Sequence, residues 1–205
     1  MASDLSWSHL DWVRPYTKSS TQRLAAMTKA CQHIDDKGIA GDIVECGVWR
    51  GGNIILARFY CPDRVCWLFD TFKGMANRSD WDVSRSGVKV GVGKSAVSVE
   101  EVTENLRVTG TFDASKLRFV KGAVEDTLRD DGNLPERIAL LRLDTDWYHS
   151  TKIELETLWP RLVSGGVLIV DDYGHWLGAR KAVDEYFKGT IKFDSIDYTA
   201  VVAVK

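Results

Sequence analysis

"IALLRLDTDW" (residues 138–147) and "GGVLIVDDYGHW" (residues 165–176) decide the fold of this chain. Each is a short apolar run that stops at paired aspartates. Near-continuous apolar runs of this length mark strands buried on both faces of a parallel sheet. The carboxyl ends of such strands lie on one edge, and ligands of open α/β sheets bind there. The two runs therefore bring Asp144, Asp146, Asp171 and Asp172 to one edge. Four carboxylates gathered in one place repel one another unless a cation sits among them. Aspartates with no Cys or paired His at that spacing suit a hard ion such as Mg2+. The pattern is that of a metal-dependent enzyme. Aspartates that merely cap the next helix explain one such strand end more easily than two on consecutive strands.

Outward from these runs, strand and helix alternate. Residues 19–37 carry Leu24, Met27, Ala30, Cys31 and Ile34 at helical spacing and end at Gly38. "GDIVECGVWRGG" (41–52) is a strand, a glycine turn and a helix start, and "RVCWLFDTF" (64–72) is a second strand closing on Asp70. Residues 73–97, with Gly74, Gly87, Gly91 and Gly93, predict a long mobile loop. Ser98 and Glu101 form a capping box ahead of a helix. A strand at 117–122, a helical 123–130, a helix over about 151–162 and another over 178–189 follow, and the tail 191–205 predicts a hairpin. The expectation is an α/β fold: a doubly wound, mostly parallel sheet, Rossmann-like, with a C-terminal antiparallel hairpin. With 205 residues and no repeat or linker, a single domain (1–205) is expected, its first 37 residues forming an N-terminal lid and helix.

Composition narrows the partners. The chain is 44% hydrophobic and 27% charged with a net charge of -2, which gives no footprint for nucleic acid or an anionic membrane. No apolar run approaches the length of a membrane span, and the opening residues lack the basic and apolar regions of a signal peptide. Cys31, Cys46, Cys61 and Cys66 form no CxxC pair, so they read as thiols in a reducing cytoplasm.

The first glycine turn is not a GxGxxG. It carries Glu45, whose carboxylate would repel a dinucleotide pyrophosphate but attract the ammonium and sulfonium of S-adenosylmethionine. Asp70 stands where an acidic residue holds ribose hydroxyls. Together they lean towards a methyl donor.

At this point the chain resembles a known family. "GDIVECGVWRGG", "LFDTFKGM", "FVKGAVEDTL", "LLRLDTDWYHSTKIELETLWPRL" and "GGVLIVDDYGHWLGARKAVDEYF" are similar to the macrocin O-methyltransferase family, over residues 16–205. The resemblance implies a class I methyltransferase that moves a methyl from S-adenosylmethionine to sugar hydroxyls of natural products with the help of Mg2+. It implies that Asp144, Asp171 and Asp172 bind the metal and that Asp146 is the general base. It also implies donor contacts from Glu45, Gly47, Asp70, Val124 and Glu125, and from Tyr16 and Thr17 in a closing N-terminal segment. His149 departs from the pattern, where a Glu is expected, and residues 73–97 have a sequence of their own. The resemblance further implies a homo-oligomer acting on a hydroxylated small molecule, a glycoside.

Chemistry supports the division of roles. A bare carboxylate is a poor base for an alcohol, whereas an alcohol on a metal ion is far more acidic. If the chain stays extended, Asp144 and Asp146 share a face and can split metal and proton duties. Trp147 and Trp176 read equally well as pocket walls or core, His149 and His175 as structural residues near the site, and Arg142 receives no role. Two alternatives remain at this stage: a glycosyltransferase using the DxD element, or a non-catalytic S-adenosylmethionine-binding scaffold.

Overall fold

In the computed structural model, described for residues 7–75, 78–89, 91, 93 and 95–205, seven strands form one sheet in the order β3-β2-β1-β4-β5-β7-β6. The first six residues of the expected lid, and residues 76, 77, 90, 92 and 94 of the expected loop, lie outside the described residues. The strands and helices run β1 (Asp42–Cys46), α2 (Gly52–Tyr60), β2 (Cys66–Asp70), α3 (Val99–Val108), β3 (Leu117–Lys121), α4 (Val124–Thr127), β4 (Ile138–Leu143), α5 (Tyr148–Leu158), β5 (Leu162–Val170), α6 (Leu177–Phe187), β6 (Asp194–Ser195) and β7 (Val201–Val204). Helix α1 (Thr21–Asp36) precedes them. β1 to β5 are parallel, and β7 and then β6 add antiparallel strands. This is the doubly wound sheet with a terminal hairpin that the alternation predicts.

All six residues of β4 are buried, as a central strand covered on both faces requires. One apolar cluster packs α1 and α2 on one face, around Leu24, Ile34, Ile55 and Leu140. The other packs α5 and α6 on the opposite face, around Leu141, Leu155, Leu168 and Val183. The order reverses between β1 and β4, so the crevice of the fold opens at their carboxyl ends.

Two boundaries move for reasons outside the local sequence. Helix α5 begins at Tyr148 rather than about residue 151, because its first amide is met from afar: Tyr148 N–H donates to Asp82 Oδ1 at 2.7 Å. The middle of residues 73–97 is correspondingly docked, not free. Leu177 N–H donates to the Val83 carbonyl at 3.0 Å and Arg85 N–H to the His175 carbonyl at 3.0 Å.

The N-terminal helix and the C-terminal hairpin hold each other. Ser20 caps α1 by accepting from Arg23 N–H, and its hydroxyl donates to Asp197 Oδ2 at 2.6 Å. Replacing Ser20 by Ala removes a cap and a charge-assisted hydrogen bond together. We expect a loss of about 2 kcal/mol in urea unfolding, above the ~1 kcal/mol of a cap alone. A loss under ~0.5 kcal/mol would mean that the hairpin tie contributes nothing.

Candidate active site

A cavity of about 500 Å³ opens at the crevice. One end is built from backbone turns. Gly47, with φ +85°, ends β1, and its N–H reaches the Phe69 carbonyl at 2.8 Å. A Cβ there would overlap the Asp144 carbonyl oxygen, so the close approach of the two strand ends requires glycine. Asp70, closing β2, accepts from Val48 N–H at 2.8 Å, Trp49 N–H at 3.1 Å and Phe72 N–H at 2.8 Å. Its carboxylate is thereby fixed at the cavity wall. Tyr16 and Thr17 line the same cavity from the N-terminal segment, as do Val124 and Glu125 from α4.

The other end is acidic. One ligand oxygen each from Asp144, Asp171 and Asp172 lie within 4.8 Å of one another, and Asp146 lines the cavity beside them. Beneath sits Arg142, 1% exposed and next to last in β4. Its Nη1 donates to Glu45 Oε1 at 2.7 Å and to Asp144 Oδ2 at 2.7 Å, and its Nη2 donates to Asp171 Oδ1. Glu45 and Arg142 are register partners across the β1–β4 pair, and Asp144 follows two residues on. A second guanidinium, Arg23 of α1, donates to the other Asp171 oxygen and to Asp197 at 3.1 Å.

Burial dominates the protonation of these groups, and neighbouring acids add to it. The Asp144 carboxyl is pushed well above its ordinary range by burial, against the pull of Arg142 and with the push of Asp171 and Asp172. Asp172 is likewise raised well above, by burial and then by Asp146. Asp146 rises to about 7, through burial and the charges of Asp144 and Asp171, while its hydrogen bond with Asp172 pulls it back. Burial lifts Glu45 to about 7, with Arg142 opposing. Glu154 on α5 lies fully buried behind the turn, accepts from Thr145 Oγ1 at 2.9 Å, and rises to about 8 through burial. Arg142 itself stays charged, because the three carboxylates outweigh the cost of burial.

The donor set tests whether a cation fits. Its atoms are carboxylate oxygens without Cys or His, the chemistry of a hard divalent ion. Of the acids gathered here, Glu45, Asp144 and Asp171 pair with the two guanidinium groups, whereas Asp146 and Asp172 make no ion pair among the described residues. A divalent ion fits this group.

Several expectations change. Glu45 does not line the cavity; it is buried under the floor, where it pairs with Arg142. Arg142 is not an idle arginine but the hub of the site. Asp146 does not extend the strand. β4 stops at Leu143, Asp146 has φ +69°, and Trp147 N–H closes on the Thr145 carbonyl at 2.9 Å. This is a γ-turn, a rare and strained form of the kind that functional sites retain. The turn, not a shared strand face, brings Asp146 to Asp172. His149 is exposed and absent from the cavity wall, whereas His175 lines it. Trp147 and Trp176 are both core and wall: they are buried, edge to face at 5.1 Å, and border the cavity. The missed residues were Arg142, Arg23 and Glu154. For Arg142 a signal existed, since a charge inside "IALLRL" must find buried partners.

Known proteins share this sequence and fold. The sequence profile of the family described as Macrocin-O-methyltransferase (TylF) matches residues 3–204. The demethyldecarbamoylnovobiocin O-methyltransferase of Streptomyces niveus is 35% identical over 202 residues, 91% of this chain and 72% of that protein. The 8-demethyl-8-(2,3-dimethoxy-alpha-L-rhamnosyl)-tetracenomycin-C 4'-O-methyltransferase of Streptomyces olivaceus is 36% identical over 185 residues, 86% of this chain and 69% of that protein. Among solved structures, the O-methyltransferase NovP superposes with a TM-score of 0.83 at 32% identity, covering 93% of this chain and 82% of that one. With a full-length profile match, relatives above 30% identity and the same sheet, the chain belongs to the macrocin O-methyltransferase family of S-adenosylmethionine-dependent enzymes.

Proposed function

We propose that this enzyme transfers the methyl of S-adenosylmethionine to a sugar hydroxyl of a glycosylated small molecule, with Mg2+ held by Asp144, Asp171 and Asp172. The observation that carries the reading is the convergence of those three carboxylates, within 4.8 Å, at one end of a cavity whose other end offers Gly47 and Asp70. The tetracenomycin relative bears a rhamnosyl unit in the name of its acceptor, which supports a sugar here. Family membership removes the ground for a glycosyltransferase. Four free, buried cysteines suit a reducing cytoplasm.

In this reading Tyr16, Thr17, Gly47, Asp70, Val124 and Glu125 hold the donor, and the segment that carries Tyr16 and Thr17 acts as a lid ahead of α1. Glu45 contributes from below, by holding Arg142. The leaving thioether needs no help, so alignment and a better nucleophile are what remain to be supplied. A divalent cation, when bound, supplies Lewis-acid stabilisation to an oxygen that is losing its proton. Asp146 takes that proton. Its γ-turn fixes the carboxyl beside Asp172, and burial lifts its pKa to about 7 in the cation-free protein, towards the range of a general base. Trp147 and Trp176 offer apolar ring surface on which a sugar face packs.

The test is calorimetric titration with S-adenosylhomocysteine combined with methylation of a glycoside panel. Asp144→Ala and Asp146→Asn should both lose turnover, the latter by about 10²–10⁴-fold, while donor-product binding stays within about twofold. Equal loss of binding and turnover would overturn this division of labour.

Protonation gives a second test. Asp146 (about 7) and Glu154 (about 8) bind protons more tightly folded than unfolded, where carboxyls titrate near 4. Between those values the folded state holds more protons, so stability falls as pH rises. In chelator, urea midpoints should drop from pH ~5 to pH ~8, and the stabilisation by Mg2+ should be larger at pH ~8, where fewer protons compete with it. A midpoint in chelator that rises over this range would contradict the charge balance described above.

A further inference from the structure

Asp82 takes no part in the chemistry above, and it sits in a loop, yet it has no exposed surface. Loops normally keep their charges in water, and a buried carboxylate persists only where hydrogen bonds replace that water. Asp82 has them. Its Oδ2 accepts from Ser79 N–H at 2.5 Å and Ser79 Oγ–H at 2.8 Å. Its Oδ1 accepts from Tyr148 N–H at 2.7 Å. That amide belongs to the first turn of α5, where the preceding residue, Trp147, offers no side-chain cap. The cap therefore comes from a residue 66 positions away, and its negative charge also suits the positive end of the helix.

The neighbours of Asp82 are pinned to α6 as well. Val83 and Arg85 exchange backbone hydrogen bonds with Leu177 and His175, and Ser84 bridges Trp176 in antiparallel fashion. Trp81 lays its ring against the Lys181 ammonium, 4.7 Å from the centroid. Room for the clamp exists because α6 carries Gly178 in its first turn; a Cβ there would overlap Asp82 Oδ1. The pieces gripped are Trp147, Trp176 and His175, which wall the acidic end of the cavity, with Trp147 directly following Asp146. Among the described residues, 79–85 make no hydrogen bond to the elements that carry Gly47, Asp70 and Val124 at the other end.

We propose that Asp82 is a positioning residue that clamps residues 79–85 across the first turns of α5 and α6, and so fixes the wall against which the acceptor sits. The word acceptor rests on the methyl-transfer reading above; the clamp itself does not. The test compares the full chain with Asp82→Ala, Asp82→Asn and Gly178→Ala, by hydrogen exchange, S-adenosylhomocysteine titration and steady-state kinetics on a glycoside that the wild type methylates. Asp82→Ala and Gly178→Ala should speed exchange over residues 79–88 and the first turn of α5 by about tenfold or more. They should raise the acceptor KM about tenfold, with a smaller change in kcat and product affinity within about twofold. Asp82→Asn, which keeps an acceptor for Tyr148 N–H but turns an NH2 towards Ser79 N–H, should restore part of the protection and of KM. The proposal is overturned if exchange in Asp82→Ala matches wild type, if donor-product affinity falls along with acceptor KM, or if Asn rescues no better than Ala. Should the wild type methylate no glycoside, the substrate reading fails, and hydrogen exchange still decides the clamp.

Discussion

A single buried guanidinium organises this molecule. Arg142 lies inside the sheet, where an unpaired charge costs several kcal/mol in lost hydration. It is tolerated because Glu45 from β1, Asp144 from the end of β4 and Asp171 from the end of β5 all reach it. The fork geometry of arginine holds three carboxylates in fixed directions, which a point charge such as Lys would not do. The register of the β1–β4 pair sets Glu45 beside Arg142, so the sheet itself builds the base of the site. Arg23 extends the chain of charges to Asp197, tying α1 and the C-terminal hairpin to the same centre.

The consequence is a site held slightly short of positive charge. Arg142 and Arg23 pair with Glu45, Asp144 and Asp171 and leave Asp146 and Asp172 without an ion pair among the described residues. Burial leaves Asp144, Asp146 and Asp172 reluctant to ionise together. Behind the turn, Glu154 is also buried, with one oxygen meeting no partner and its pKa lifted to about 8. Such an arrangement costs stability in the cation-free protein, a cost that a bound divalent ion would offset. It also separates the two ends of the cavity. The end at Gly47 and Asp70 is built of backbone turns and one fixed carboxylate, whereas the acidic end relies on side chains whose charge depends on one another.

Much of this was legible in the sequence, because local pattern and global fold agree in this chain. The apolar runs ending in aspartate gave away parallel strands and their shared edge, and "DTD" with "DD" located the acidic end. Ser98 caps α3 by accepting from Glu101 N–H, although the Glu101 side chain turns to Arg50 instead of closing the capping box. What escaped were the features set by distant partners. Helix α5 starts early because Asp82 caps it from across the chain, and the same bond docks a stretch that glycine content marks as mobile. Asp146 defeats the two-residue alternation of strands because the strand has already ended and a γ-turn follows. Glu45, read by charge alone, points to a ligand; only its cross-strand neighbour reveals that an arginine claims it.

The central claim is that the Arg142-ordered carboxylates hold one divalent ion next to the donor. It is tested most directly by crystals grown with Mn2+ and S-adenosylhomocysteine, using the anomalous signal of the metal. The account predicts one strong peak, with oxygens of Asp144, Asp171 and Asp172 about 2.1–2.2 Å away and Glu45 still on Arg142. No peak at this position under saturating Mn2+, or an ion bound elsewhere with both Asp171 oxygens still held by Arg142 and Arg23, would contradict it.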